Sequence, residues 1–353
     1  RTYMAVRHGF DVPDYLGSKS TFALGQFGGH AGRTLRVGDM LMVNLTRLSS
    51  VEPMPAAKEL IPSYGQEWHI GVLYGPHGAP DFFETDFVDQ FFAEPWQVHY
   101  NSNRLGVRLV GSKPSWARSD GGEAGLHPSN IHDCEYAIGS INFTGDTPVI
   151  LTCDGPSLGG FVCLATIVKA ELWKVGQVKP GDKIYFKRLS FDEALALEQA
   201  QDQAIQELAV VPPTKDNLLG QISQYLGQLF TPKVRQEINP DLCVLAQLAA
   251  TEQRPAVCYR QAGDKYILVE YGENILDLRL RFRIHALMEA LKAKPIDGIH
   301  ELSPGVRSLQ IRYDSRVIHQ RQLIKQLLAL EEKLHLTESV ATRVVYLPLA
   351  FED

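Results

Sequence analysis

Between Asn101 and Lys174 the chain concentrates side chains able to do chemistry: Asn101, Asn103, Arg104, His127, Asn130, Asn142, Asp146, Asp154 and Lys169. Amide and carboxylate oxygens accept hydrogen bonds from N–H groups, while Arg and Lys donate to carbonyls and carboxylates. The set suits a small, polar, multiply hydrogen-bonding ligand. Each Asn or Asp is also an ordinary turn former, because it bonds its own backbone. Lys169 differs, since it interrupts the apolar run Ala165-Thr-Ile-Val-Lys169-Ala-Glu-Leu-Trp, read as a strand. Alternation along a strand would turn it outward. A pocket would turn it inward, to polarise a carbonyl or hold a carboxylate.

Two other chemistries are weighed in the same stretch. Gly155-Pro-Ser157-Leu-Gly159 matches G-x-S-x-G, but a nucleophile elbow needs a helix after the serine. The next residues, Gly160-Phe-Val-Cys-Leu-Ala-Thr-Ile-Val, read as another strand, so the serine is placed in a β-hairpin turn. Glu123, His127, His132 and Asp133 could be drawn as metal ligands, yet no helix brings the two histidines onto one face at i, i+4. No metal is assigned.

The elements that must hold these groups are short and β-like: Leu105–Val110, Val149–Thr152 and Phe161–Val168, alternating with loops. Rigid strands presenting polar loops are a common way to build a site. Upstream lies a glycine-rich run, Gly25-Gln-Phe-Gly28-Gly29-His30-Ala-Gly32-Arg33. It lacks the spacing and the following helix of a phosphate loop, so it reads as a tight turn in a β domain. Val37-Gly38-Asp39 and, later, Gly181-Asp182 each lead into an apolar run, the pattern of similar corners in a barrel. Phe83, Phe87 and Phe91 recur at helical spacing and are assigned to the core.

From Ser190 the character changes. Ser190-Phe-Asp-Glu193 is a capping box opening a helix that Pro212-Pro213 closes. Helical passages are also read at Asn217–Phe230 and around Leu242–Ala250, giving a connector over 191–253. Residues 254–342 alternate strand (Tyr266–Tyr271), helix (Leu276–Lys292), two strands (Ile299–Leu302, Ser308–Tyr313) and helix (His319–Leu334), a ferredoxin-like pattern. Val344–Leu349 reads as the first strand of a further domain over 343–353. The fold class is therefore β-rich α+β, with a β-barrel region over 1–190.

Composition narrows the class without naming a function. The chain has 353 residues, 44% hydrophobic and 22% charged, with net charge −6. That is ordinary globular composition, and it lacks the basic face expected of a nucleic-acid binder. No apolar run reaches the length of a membrane span. Five dispersed cysteines with no C-x-x-C pair fit reduced thiols and a cytoplasmic location. Arg1 opens inside a strand-like run and Arg343-Val-Val-Tyr-Leu-Pro-Leu closes inside another, so a larger protein is expected around this piece.

Several longer runs resemble one family. Tyr3-Met-Ala-Val-Arg-His-Gly-Phe, Ser20-Thr-Phe-Ala-Leu-Gly-Gln-Phe-Gly-Gly-His, Gly122-Glu-Ala-Gly-Leu-His127-Pro-Ser-Asn130 and Thr166-Ile-Val-Lys169-Ala-Glu-Leu-Trp are similar to the carboxyltransferase domain of urea carboxylase. Residues 1–190 resemble its subdomains A and B without their first portion. Tyr259-Arg-Gln-Ala-Gly-Asp-Lys-Tyr and Ser303-Pro-Gly-Val-Arg-Ser-Leu resemble the start of subdomains C and D. The resemblance implies a cyclophilin-like barrel and a ligase that moves a carboxyl group from carboxybiotin to urea, forming allophanate in urea degradation. It also implies biotin on a carrier domain, ATP at a separate biotin carboxylase domain, and both domains as partners in the same enzyme. Lys169 and Asn142 are the expected catalytic residues. Asp154, Asn103, His127, Asn130 and Arg104 are the expected substrate contacts. A site shared between the halves would be incomplete in this piece alone. A 5-oxoprolinase component and a non-catalytic kinase-inhibitor-like binding protein are the alternatives.

Overall fold

The computed structural model describes residues 4–6, 9–43, 60–207, 243–334 and 343–350. Sixteen strands are described. In chain order they are β1 (Thr21–Phe22), β2 (Phe27–Gly28), β3 (Glu67–Tyr74), β4 (Trp96–Val98), β5 (Gly106–Val110), β6 (Asn130–Glu135), β7 (Ser140–Thr144), β8 (Thr147–Leu151), β9 (Leu158–Phe161), β10 (Cys163–Ile167), β11 (Lys183–Arg188), β12 (Val244–Leu248), β13 (Val257–Gln261), β14 (Tyr266–Tyr271), β15 (Ile299–Pro304) and β16 (Ser308–Tyr313). The described α-helices are α1 (Thr85–Ala93), α2 (Leu172–Val175), α3 (Phe191–Glu207), α4 (Leu278–Ala293) and α5 (Gln320–Glu331).

Seven strands close a barrel in the order β10-β3-β11-β4-β5-β8-β7. All its pairings are antiparallel except β3 with β11. Closure removes the exposed edges that would otherwise invite aggregation. The aromatic run at Phe83 and through α1 belongs to the core, although Phe83 precedes the helix in an isolated bridge with Trp116. Phe83, Phe87 and Phe91 are at most 1% exposed, and they meet Phe143 of β7 while Phe91 stacks on Phe186 of β11 at 5.2 Å. Burying each such ring contributes roughly 1.5–3 kcal/mol.

The second unit is an antiparallel sheet in the order β12-β13-β14-β16-β15, with α4 following β14 and α5 following β16. The segment β14-α4-β15-β16-α5, with β16 between β14 and β15, is the ferredoxin-like arrangement. β13 takes the place beside β14 where that fold's fourth strand lies. The two units share hydrophobic packing: Leu73, Val168, Leu189 and Phe191 of the first lie in one buried cluster with Tyr259, Ile267, Ile284 and Leu323 of the second. The capping box predicted at Ser190 is present. Glu193 N donates to Ser190 Oγ at 3.3 Å, and Ser190 N donates to Glu193 Oε2 at 2.5 Å, opening α3.

Several sequence readings are corrected. The helix read around Leu242–Ala250 is not present over the described residues 243–250, because Val244–Leu248 pairs with Val257–Arg260 as β12. Leu and Ala favour helix, but pairing on an apolar sheet outweighs that weak preference. Among the described residues, the helical part of the 191–253 connector is α3, while Pro212-Pro213 and Asn217–Phe230 lie outside the described residues. Val344–Leu349 forms no strand among the described residues, and its large side chains are exposed. Lys169 is not in a strand, since β10 ends at Ile167 and Lys169–Glu171 forms a 3-10 turn. The turn after Asp154 does not make a hairpin, because β9 pairs with β6 and not with β8. Of the two Gly-Asp corners, the one at Gly181 enters the barrel through β11. The one at Gly38 leads to an isolated bridge between Phe10 and Val43.

Candidate functional site

The glycine-rich run builds a hairpin, with Thr21 opposite Gly28 and Phe22 opposite Phe27. Its glycines are there for close approach. Gly29 has φ +55°, and a Cβ on it would overlap Thr21 Oγ1. One on Gly32, at φ +64°, would overlap the Gln26 carbonyl oxygen. This fold of the loop turns His30 and Arg33 toward the same cleft as Lys19 and Arg104. The cleft has a volume of about 270 Å³ and an apolar side made by Phe10, Val12, Leu35 and Leu41.

Each cation around the cleft is held in place. Arg33 donates to both oxygens of Asp39 at 2.7 and 2.8 Å, and Arg36 N donates to the same carboxylate at 2.6 Å. The Arg33 side-chain hydrogen bonds therefore hold Asp39 well below the usual carboxylate range. Lys19 Nζ donates to the Val12 carbonyl oxygen at 2.5 Å. Arg104 Nε lies 2.7 Å from Asp154 Oδ2. The turn carrying Arg104 is fixed by Asn103 Oδ1, which accepts from Leu105 N at 2.8 Å, and by the Thr152 hydroxyl, which donates to the Arg104 carbonyl oxygen. Asp154, just before the G-x-S-x-G segment, pins Arg104, and Ser157 is exposed.

The remaining expected residues lie elsewhere. His127 Nδ1 accepts from Ser129 N at 3.0 Å, which places its proton on Nε2, 3.5 Å from Asp146 Oδ1. Asp146 sits at the tip of the β7–β8 hairpin, beside Gly145 at φ +61°, and also accepts from Trp116 Nε1 at 3.1 Å. The Asn130 side chain packs against the chain at Gly121 and Gly125, where an added Cβ would come within 2.8 Å of it. Asn142 is 2% exposed inside the barrel, and its Oδ1 accepts from the Cys163 thiol at 2.8 Å. Burial pushes that thiol's pKa up. Lys169 lines a second cleft that shares no residue with the first, formed where the barrel meets the second sheet. Arg104, Asp154 and Asn103 are therefore brought together, while Lys169, Asn142, His127 and Asn130 are not joined to them.

Lys19, Thr21, His30, Arg33 and Thr34 complete the cleft and were not singled out from the sequence as site residues. The signal that could have found them is the glycine run itself, whose spacing argues against phosphate binding but is silent on other ligands. Chemically, the cleft offers four basic side chains, two threonine hydroxyls and an apolar wall. Such a set can hold a planar carboxylate beside an apolar surface.

The comparisons with known proteins agree on one family. Residues 1–188 match the family described as carboxyltransferase domain, subdomain A and B. Residues 257–353 match carboxyltransferase domain, subdomain C and D. A urea amidolyase of Lachancea kluyveri is 50% identical over 364 residues, covering 100% of this chain and 19% of that protein. The crystal structure of the Kluyveromyces lactis urea carboxylase superposes with a TM-score of 0.82 at 48% identity, covering 93% of this chain and 29% of that one. A 5-oxoprolinase component of Escherichia coli is a more distant relative, 32% identical over 59% of this chain and 63% of its own. The chain thus spans about a fifth of the length of the urea amidolyase it matches.

Proposed function

The chain belongs to the carboxyltransferase-domain family, subdomains A and B followed by C and D, and from that premise we propose that it is the carboxyl-transferring part of a biotin-dependent urea carboxylase. The observation that carries the reading is the cationic cleft, where the glycine-rich hairpin meets the Arg104–Asp154 pair. Urea has N–H donors and one carbonyl. It is recognised by side-chain acceptors together with a cation or donor.

The residues present fit a carboxylated biotin, because Arg33 and Arg104 can hold a carboxylate beside an apolar wall formed by Phe10, Leu35 and Leu41. When bound on its carrier domain, that group supplies the activated carboxyl. Arg104 would hold this carboxyl and stabilise its charge, with its guanidinium positioned by Asp154. The unengaged part of the Asn103 amide and the Thr21 and Thr34 hydroxyls bind urea. His30, beside Asp39 at 3.8 Å, contributes a further hydrogen bond. Asn142 acts at one remove, by fixing β10 through Cys163. On this reading ATP is used on a separate biotin carboxylase domain, and the enzyme works in the cytoplasm. Among the described residues no helix is long and apolar enough to cross a membrane.

The test uses the full-length enzyme with its carrier loaded from labelled bicarbonate and ATP. Label should leave the carrier when urea is added and appear in allophanate, while 5-oxoproline should release none. Label retained in the presence of urea, or passed to 5-oxoproline, would overturn the assignment.

A further inference from the structure

Arg33 and His30 line the cationic cleft, and both reach back to Asp39, which does not line it. We propose that Asp39 is a positioning residue for carboxyl transfer: it grips one edge of the Arg33 guanidinium and so presents the other edge to the carboxylate in the cleft. The inference rests on carboxyl transfer taking place in that cleft. The Arg33 side chain is 33% exposed and that of Asp39 13%, so the arginine faces the opening and the carboxylate sits behind it.

A guanidinium carries five N–H donors in one plane, arranged so that a pair along one edge matches a carboxylate. Arg33 gives its end-on pair to Asp39, Nη1 to Oδ2 at 2.8 Å and Nη2 to Oδ1 at 2.7 Å. The second N–H of Nη1 goes to the Thr34 carbonyl oxygen at 3.0 Å. What remains is Nε–H and the outer N–H of Nη2, which share the side-on edge and have no acceptor among the described residues. Those two parallel donors can take one further planar carboxylate, which a lysine at this position could not bind in the same way.

Asp39 is itself fixed. Arg36 N donates to its Oδ2 at 2.6 Å, and Asp39 N donates back to the Arg36 carbonyl oxygen at 3.1 Å, across a turn that Gly38 makes at φ +94°. His30 Nε2 approaches its Oδ1 at 3.8 Å. The carboxylate therefore cannot swing away from Arg33 without breaking the turn. Its Arg33 hydrogen bonds also hold its pKa well below the usual range. A carboxylate so held is a poor base, which leaves it an anchor and not a proton carrier.

The test is single-turnover transfer to urea from a preloaded carrier, in the full-length enzyme. Asp39→Asn keeps the shape of the side chain but loses its charge and one acceptor. Loading by ATP and bicarbonate should be unchanged, and transfer at saturating urea should fall about tenfold, because misplacing a positioned group is costly. The urea concentration giving half the maximal rate should hardly move, since Arg33 acts on the carboxyl and not on urea. Arg33→Ala should slow transfer as well, and adding Asp39→Asn to it should cost nothing more, as expected of two residues acting through one contact. Transfer at the wild-type rate in Asp39→Asn would overturn the proposal. So would losses that multiply in the double variant, which are the mark of a structural role independent of Arg33. Arg104→Ala separates this inference from the reading of the cleft. Wild-type transfer in Arg104→Ala would overturn that reading, and the role of Asp39 with it. Slow transfer in Arg104→Ala beside wild-type transfer in Asp39→Asn would overturn the role of Asp39 alone.

Discussion

At the scale of single residues, burial and charge decide which side chains remain available. Glu135 lies at the seam between the units, where Ser308 Oγ donates to its Oε2 at 2.9 Å. Burial raises its pKa to about 7 from 4.5. A carboxyl whose folded pKa is raised holds a proton that the unfolded chain releases. Its contribution to stability is full below pH about 4.5 and fades as pH rises through about 7. The wild type should therefore lose stability relative to Glu135→Gln between pH about 5 and about 8, by an amount of order 3 kcal/mol. Urea denaturation at several pH values measures it, and parallel curves for the two proteins would refute the assignment. Glu270 shows the opposite balance. Burial would raise its pKa, but Arg307 and Arg260, each 2.6 Å away, hold it well below the usual range. None of this was legible in the sequence, because ionisation depends on neighbours far apart in the chain. Arg104 and Asp154 were legible as polar groups in the right stretch. Their pairing was not, since 50 positions separate them.

At the scale of elements, local signals read well where they are self-contained. The capping box, the α1 aromatics and the strands flanking Ser303-Pro-Gly305 need only neighbours in sequence. β12 was missed because its identity is set by β13, not by its own composition. The glycine hairpin was legible as a turn but not as a wall of the site, since the spacing of glycines reports backbone shape and not what the loop faces. Its geometry makes a sharp prediction. Gly29→Ala combines a left-handed backbone at φ +55° with a clash against Thr21. It should destabilise the hairpin by roughly 1–3 kcal/mol. Carboxyl transfer in the full-length enzyme should fall more steeply than the global melting temperature, because His30 and Arg33 move with the loop. Equal activity at an unchanged melting temperature would show that the loop tolerates the side chain and lies outside the site.

At the scale of the whole molecule, the two family segments fold against each other over a common buried cluster and a polar seam. Arg260 reaches from β13 to Asp81 at 2.9 Å, and Gln261 donates to the Tyr74 carbonyl oxygen at 3.2 Å. The barrel and the ferredoxin-like sheet were both legible from strand spacing and from the family resemblance. The extent of their contact was not, because apolar residues such as Leu73 and Val168 look the same whether they face their own unit or another. Among the described residues, one cleft lies within the first unit and another, of different construction, lies on the seam. The proposed site of carboxyl transfer is the first. The most direct check is single-turnover transfer from a preloaded carrier to urea, in the full-length enzyme carrying Arg104→Ala. Loading of biotin by ATP and bicarbonate should be unchanged, and transfer to urea should fall about 100-fold or more, as when a charge-stabilising donor is removed. Transfer at the wild-type rate would contradict the assignment of the site.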